Sequence, residues 1–223
     1  MKPVYFHGVP GHLDEVGLAG VSPERFASPS KTKNAHLIGF SLGAHAALTH
    51  TARYGAKRLD LIAPAAPLQL GDFIDNMAGA PVFRAAQNGT IARLTWMQSL
   101  VARMSPALLR RIILSGAAPK DVEVFASQKA QQTLNKILRH SMIENRAAYI
   151  QALTSYVEDW TPLLKHIDCP VTLWHGTADT WAPFGMSVAL KDTLSNATLN
   201  PLPDHGHYSA LVSVLPNLIA PQT

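Results

Sequence analysis

The sequence predicts an α/β protein: a mostly parallel sheet with flanking helices, interrupted by a helical insertion. Three observations carry this. Short apolar runs bounded by turn residues alternate with helix formers at both ends of the chain, the pattern of strands joined by crossover helices. From about residue 68 to 166 the pattern changes to apolar residues at helical spacing with no strand signal. Within the first alternating stretch stands Gly39-Phe40-Ser41-Leu42-Gly43, a sharp turn set between a strand and a helix. The expected division is a core of residues 1–67 and 167–223 and a helical cap or lid of 68–166.

In chain order, residues 3–6 read as a strand running into the turn-rich His7-Gly8-Val9-Pro10-Gly11. A short helix follows over Leu13 to Ala19. Residues 20–34 read as connection, with a short strand near Phe26. Ala35 to Ile38 is a buried strand. A helix after the Gly39–Gly43 turn continues to Tyr54-Gly55, and Arg58 to Pro64 is the next strand. In the insertion, helices are expected over Leu94 to Met104, Leu108 to Leu114, 122–138 and 142–157. Pro170 to Trp174 returns to strand and ends in His175-Gly176-Thr177-Ala178-Asp179. Gly185 to Leu194 reads as helix and Ala197 to Asn200 as strand. Asp204-His205-Gly206-His207-Tyr208 then forms a loop before a terminal helix over 209–219.

Composition narrows the class. Apolar residues make up 47% and the net charge is +4, as for a soluble globular protein. The basic residues are scattered, apart from Arg110-Arg111 and Lys31/Lys33, so no nucleic-acid partner is expected. The single cysteine, Cys169, permits no internal disulfide and fits a reducing, cytoplasmic compartment. The apolar run after Lys2 is too short for a signal peptide or a membrane span, so no membrane partner is expected either.

The chemistry sits in the loops after the strands. A serine hydroxyl needs a base beside it to act as a nucleophile. Histidine suits that task near neutral pH, and an acid fixes its tautomer. Ser41, Asp179 and His207 occur in the order Ser…Asp…His. His205 and Asp204 are the neighbouring alternatives, and Asp60 reads as lying at the start of its strand, at the sheet edge away from the chemistry. A metal at the His205/His207 pair would need further ligands, and none cluster in the sequence; neither a metal nor a cofactor is expected.

With His7-Gly8-Val9-Pro10-Gly11, Gly39-Phe40-Ser41-Leu42-Gly43, His175 to Asp179 with Pro183, and Gly206-His207-Tyr208, the chain resembles an α/β-hydrolase fold enzyme of the group with a helical cap. The resemblance implies Ser41 as nucleophile, His207 as base and Asp179 as orienting acid. It also implies an oxyanion hole from the backbone N–H groups of Val9 and Leu42; Pro10 has none to give. A serine nucleophile implies ester-type hydrolysis of a small acyl substrate through an acyl-enzyme. C–C bond hydrolysis, thioester hydrolysis and perhydrolysis on the same triad stay open, as does a non-catalytic relative that binds a small molecule. Trp181, Phe40 and Trp96 are the pocket candidates, with Met97 and Trp160 behind them. His7 is expected to shape the oxyanion loop, and His45 and His175 to pack. Compared with the family, the stretch between His7 and Ser41 is short. The expected consequence is a thinly covered sheet face, which invites a homodimer.

Overall fold

The structure is a computed structural model and describes residues 2–29 and 33–220. Five strands make one parallel sheet in sequential order: β1 (Val4–Phe6), β2 (His36–Phe40), β3 (Arg58–Ile62), β4 (Val171–Gly176) and β5 (Ala197–Leu202). Leu37, Ile38, Leu59, Leu61, Ile62 and Leu173 are fully buried. Near-continuous apolar runs of this kind belong to strands covered on both faces. Each such side chain stabilises the fold by roughly 1.5–3 kcal/mol relative to exposure, so the central strands anchor the molecule.

Helix α1 (Gly43–Tyr54) packs on β1, β2 and β3. The insertion between β3 and β4 holds α2 (Ala80–Gln87), α3 (Ile91–Met104), α4 (Pro106–Ile113), α5 (Pro119–Val124), α6 (Gln128–Arg139) and α7 (Arg146–Val157). Helix α8 (Gly185–Thr193) packs on β4 and β5, and α9 (His207–Ile219) packs on β3, β4 and the 3₁₀ helix Leu13–Ala19.

Several elements differ from the sequence reading. The helix expected over 122–138 is two: α5 ends at Val124, and Ser127 caps α6 by accepting from the Ala130 N–H at 3.1 Å. Ser105 caps α4 in the same way, with Pro106 at its first position, as serine and proline favour. A π turn, His140–Glu144, precedes α7. The strand near Phe26 is reduced to one parallel bridge from Ala27 to Val4. The rest of that connection includes residues 30–32, with Ser30 and Lys31, which lie outside the described residues. An open groove of about 880 Å³ runs beside β1 and α1, lined by Tyr5, Phe6, Phe26, His45 and Tyr54 among others.

Asp60 stands in the middle of β3, not at its start. It accepts from Trp174 Nε1 at 3.1 Å, lies 2.7 Å from His36 Nε2 and pairs with Arg58. This buried network ties β2, β3 and β4 together.

Candidate active site

Ser41 follows β2 directly and has φ +56°, a conformation that a side chain strains. Neighbouring bonds hold it there. Its N–H donates to Ile62 O at 3.1 Å, and its carbonyl accepts from Ala44 N (3.0 Å) and Ala65 N (3.1 Å). The turn also needs Gly43, because a Cβ there would lie 2.2 Å from Phe6 O. Helix α1 starts at Gly43, so its positive end is directed at the serine.

His207 is the first residue of α9 rather than part of a loop. Its ring is 1% exposed, with Nδ1 2.7 Å from Asp179 Oδ2. A carboxylate can only accept, so Nδ1 carries the proton and Nε2 keeps its lone pair. Asp179 follows β4. Its Oδ1 accepts from Trp181 N (2.8 Å) and Ala182 N (3.0 Å), and its Oδ2 also lies 3.3 Å from His175 Nε2. His175 is fully buried, with Nε2 2.8 Å from Ala182 O and Nδ1 2.6 Å from Ser187 Oγ. Nε2 therefore donates and Nδ1 accepts the serine proton. His175 does more than pack: it steadies the acid.

Electrostatics follow from these contacts. Burial alone would raise the Asp179 carboxyl, but the charge of His207 and the hydrogen bonds from His175 and His207 hold it well below the usual carboxylate range. For His207 burial pulls downward, but Asp179, Asp121 and Glu15 outweigh it and leave the imidazole above its ordinary value.

Two further carboxylates escaped the sequence reading. Asp121, on α5, is 1% exposed and caps α9 across the molecule. Its Oδ2 accepts from His207 N at 2.7 Å, and its Oδ1 accepts from Ser209 N and Ser209 Oγ, both at 2.7 Å. A negative charge at a helix N-terminus is favourable. Glu15 is fully buried; its Oε1 accepts from Tyr5 OH (2.7 Å) and from Gly8 N (2.9 Å). That second bond fixes the loop carrying Val9, and the His7 Nδ1 bond to Gly8 O at 2.8 Å closes it. Burial lifts Glu15 to about 7, against the lowering effect of Tyr5, Gly8 and His207.

Ser41, Val9, Leu42 and Trp181 line a cavity of about 270 Å³. Among the described residues neither the Val9 nor the Leu42 N–H donates to any acceptor. No hydrogen bond among the described residues joins Ser41 Oγ to His207; such bonds commonly tighten when a substrate fills a site. Trp181 stacks on His207 with centroids 5.5 Å apart. The other pocket candidates lie elsewhere. Phe40 packs against the His207 ring at 4.8 Å and against Tyr208, outside the cavity lining. Trp96 and Met97 are each 54% exposed, since the buried face of α3 is Ile91, Thr95, Ser99 and Ala102. Trp160 is buried against His45, at 4.7 Å. His205 Nδ1 hydrogen-bonds Pro203 O at 2.9 Å, and among the described residues no hydrogen bond joins its ring to Asp179. Among the described residues, no group of three or more His, Cys, Asp or Glu side chains is placed to hold a metal ion, and no helix is long and apolar enough to cross a membrane.

A five-stranded parallel sheet with a serine at a strained strand–helix turn defines a class, and the chain belongs to it: residues 6–215 match the alpha/beta hydrolase family. Among individual proteins, it is 25% identical over 203 residues to Probable lysophospholipase BODYGUARD 2 of Arabidopsis thaliana. That match covers 83% of this chain and 41% of the relative, so the chain spans well under half of that protein's length. A candidate lipase of Acinetobacter baumannii AYE superposes with TM-score 0.65 at 16% identity, covering 99% of this chain and 82% of its own. An esterase of Exiguobacterium antarcticum gives TM-score 0.59 at 17% identity, with 98% and 92% covered. These structures share the fold.

Proposed function

We propose that the protein is a serine hydrolase that cleaves small ester-type substrates through an acyl-enzyme, with Ser41 as nucleophile, His207 as base and Asp179 as orienting acid. The observation that carries this is the 2.7 Å His207–Asp179 bond, which leaves imidazole Nε2 free, on a ring that packs 4.8 Å from Phe40, the residue before the strained elbow serine. In the first step His207 Nε2 takes the Ser41 proton as Oγ adds to the acyl carbon. The N–H groups of Val9 and Leu42, both without an acceptor among the described residues, receive the oxyanion. The imidazolium then protonates the leaving alcohol, and water reverses the sequence to release the acid. The insertion acts as the cap: its residues Phe83, Met142 and Leu153 close the cavity over Ser41. A lysophospholipase-named relative and an esterase-named structural neighbour agree with this reading.

The size of the cavity favours short acyl groups. Ligand sites for drug-sized molecules run about 300–1,000 Å³, and this one holds about 270 Å³. Its lining also contains two buried polar groups with no hydrogen-bond partner among the described residues, Trp181 Nε1 and Gln98 Oε1. The preferred substrate therefore carries a hydroxyl or amide near its ester.

The test is hydrolysis of p-nitrophenyl esters of increasing chain length. The kcat/KM should be highest for acetate and butyrate and fall steeply for palmitate. Because His207 must be neutral to act, activity should rise with pH through a midpoint above the ordinary histidine value. Folded protein that turns over none of the esters would overturn the proposal.

A further inference from the structure

Helices α3 and α4 present an apolar surface outward. Trp96 (54% exposed), Met97 (54%), Leu100 (39%) and Met104 (85%) lie on α3, and Leu108 (49%) and Ile112 (54%) on α4. Among the described residues these are six of the eight exposed large hydrophobic side chains. Single exposed apolar residues are ordinary, but a concentration of them marks an interaction surface. Trp96, Leu100 and Met104 recur every fourth residue, so they form one ridge along the helix. The buried side of α3 is built from small or polar residues, Thr95, Ser99 and Ala102, with Ile91. The large apolar groups have been placed outside.

The charge on these helices has one sign. Residues 91–113 contain Arg93, Arg103, Arg110 and Arg111 and no aspartate or glutamate. Arg93, Arg103 and Arg111 are exposed, while Arg110 Nη1 donates to Asn135 Oδ1 at 2.9 Å. Glu144 shares a shallow groove with Arg103, but Arg139 Nε already donates to it at 2.9 Å. We propose that the α3–α4 face docks on an anionic lipid surface, with Trp96, Leu100 and Met104 entering the headgroup region and the arginines meeting the lipid charges. The outward face of α3 and α4 thus carries Trp, Leu and Met together with arginines, a combination suited to an anionic interface. A second copy fits poorly. A two-fold contact through this face would bring the arginines of two copies together with no acidic residue on α3 or α4 to pair them.

The position of Ile112 gives the docking a consequence. Ile112 is exposed and also lines the cavity that holds Ser41, next to Ile113 and Ser115. A molecule seated on lipid through α3 and α4 brings that wall of the cavity to the surface where apolar small molecules concentrate.

The docking is tested without reference to catalysis, by co-sedimentation with phosphatidylcholine vesicles, with and without phosphatidylserine, at low and high salt. Three proteins are compared: the wild type, Trp96→Ser/Leu100→Ser/Met104→Ser and Arg93→Gln/Arg103→Gln/Arg111→Gln. All the substituted positions are exposed, and unchanged circular dichroism and Tm verify that the variants fold. The wild type should partition onto the mixed vesicles at least about tenfold more than onto phosphatidylcholine alone, and high salt should release it. Each variant should lose about tenfold or more. A wild type that ignores both kinds of vesicle, or variants that bind as it does, would overturn the proposal. A wild-type dimer that the serine variant converts to monomer would assign the face to a second copy instead.

Discussion

The carboxylates that hold His207 and the polar groups that line the cavity at Ser41 are partnered differently. Around the base, all four carboxylate oxygens of Asp179 and Asp121 have partners. Asp179 accepts from two backbone amides and from His207, with His175 at 3.3 Å, and Asp121 accepts three bonds at the start of α9. In the cavity lining, Trp181 Nε1 and Gln98 Oε1 are buried and have none among the described residues. Buried polar groups are normally satisfied, and one left alone costs about 1–3 kcal/mol. The first set is a finished framework that fixes the direction of one imidazole. The second leaves one donor and one acceptor open in the cavity lining.

The framework can be broken at different depths. Replacing Ser41 with Ala should lower kcat by a factor on the order of 10⁴ or more while leaving the melting temperature close to that of the wild type. Asp121→Ala removes a carboxylate that caps α9 and touches no substrate. It should cost about 1–3 kcal/mol in urea denaturation and reduce kcat roughly tenfold, with KM little changed. Asp121→Asn keeps an acceptor but removes the charge that helps raise His207. Its acid limb in a pH–kcat/KM profile should therefore move to lower pH, a shift that a purely structural role would not produce.

Glu15 sharpens the comparison from the other side, because it is the exception within the framework: Oε2 is buried without a partner. In the folded protein it holds its proton up to about 7, against 4.5 for an ordinary glutamate. Between those values the folded state binds more protons than the unfolded one, so stability should fall as pH rises through that window. Glu15→Gln keeps an acceptor for Gly8 N but cannot ionise. It should remove a pH-dependent loss on the order of 1–3 kcal/mol, read as a flatter plot of melting temperature against pH. The smallest expected effect belongs to the cavity wall. Gln98→Leu should reduce the preference for ethyl 3-hydroxybutyrate over ethyl 3-methylbutyrate by roughly three- to tenfold, about the worth of one hydrogen bond. An unchanged ratio would mean that Gln98 does not read the substrate.

What the sequence makes legible follows the range of the interactions. The strand, elbow and helix from His36 to Tyr54 are local, written in apolar runs and in glycines at close approaches. The helix breaks in the insertion were legible as well, in Ser105-Pro106 and Ser127, though periodicity alone ran 122–138 together. Asp121 was not, because it lies 86 positions from the amide it caps, and its own context reads as an ordinary acid in the first turn of a short helix. Glu15 was hidden for the same reason, its role being set by Tyr5 and Gly8 across a turn. Trp96 misleads because α3 inverts the usual rule, burying Thr95 and Ser99 and exposing Trp96 and Met97. Phe40 misleads because its ring packs on His207 and Tyr208 instead of lining the cavity.

The central claim is that the framework activates Ser41, and intact-mass spectrometry after treatment with a fluorophosphonate probe tests it most directly. The wild type should gain a single adduct within minutes at pH 8, and Ser41→Ala should gain none. Folded wild type that stays unmodified, or a Ser41→Ala protein labelled as fast as the wild type, would contradict the account.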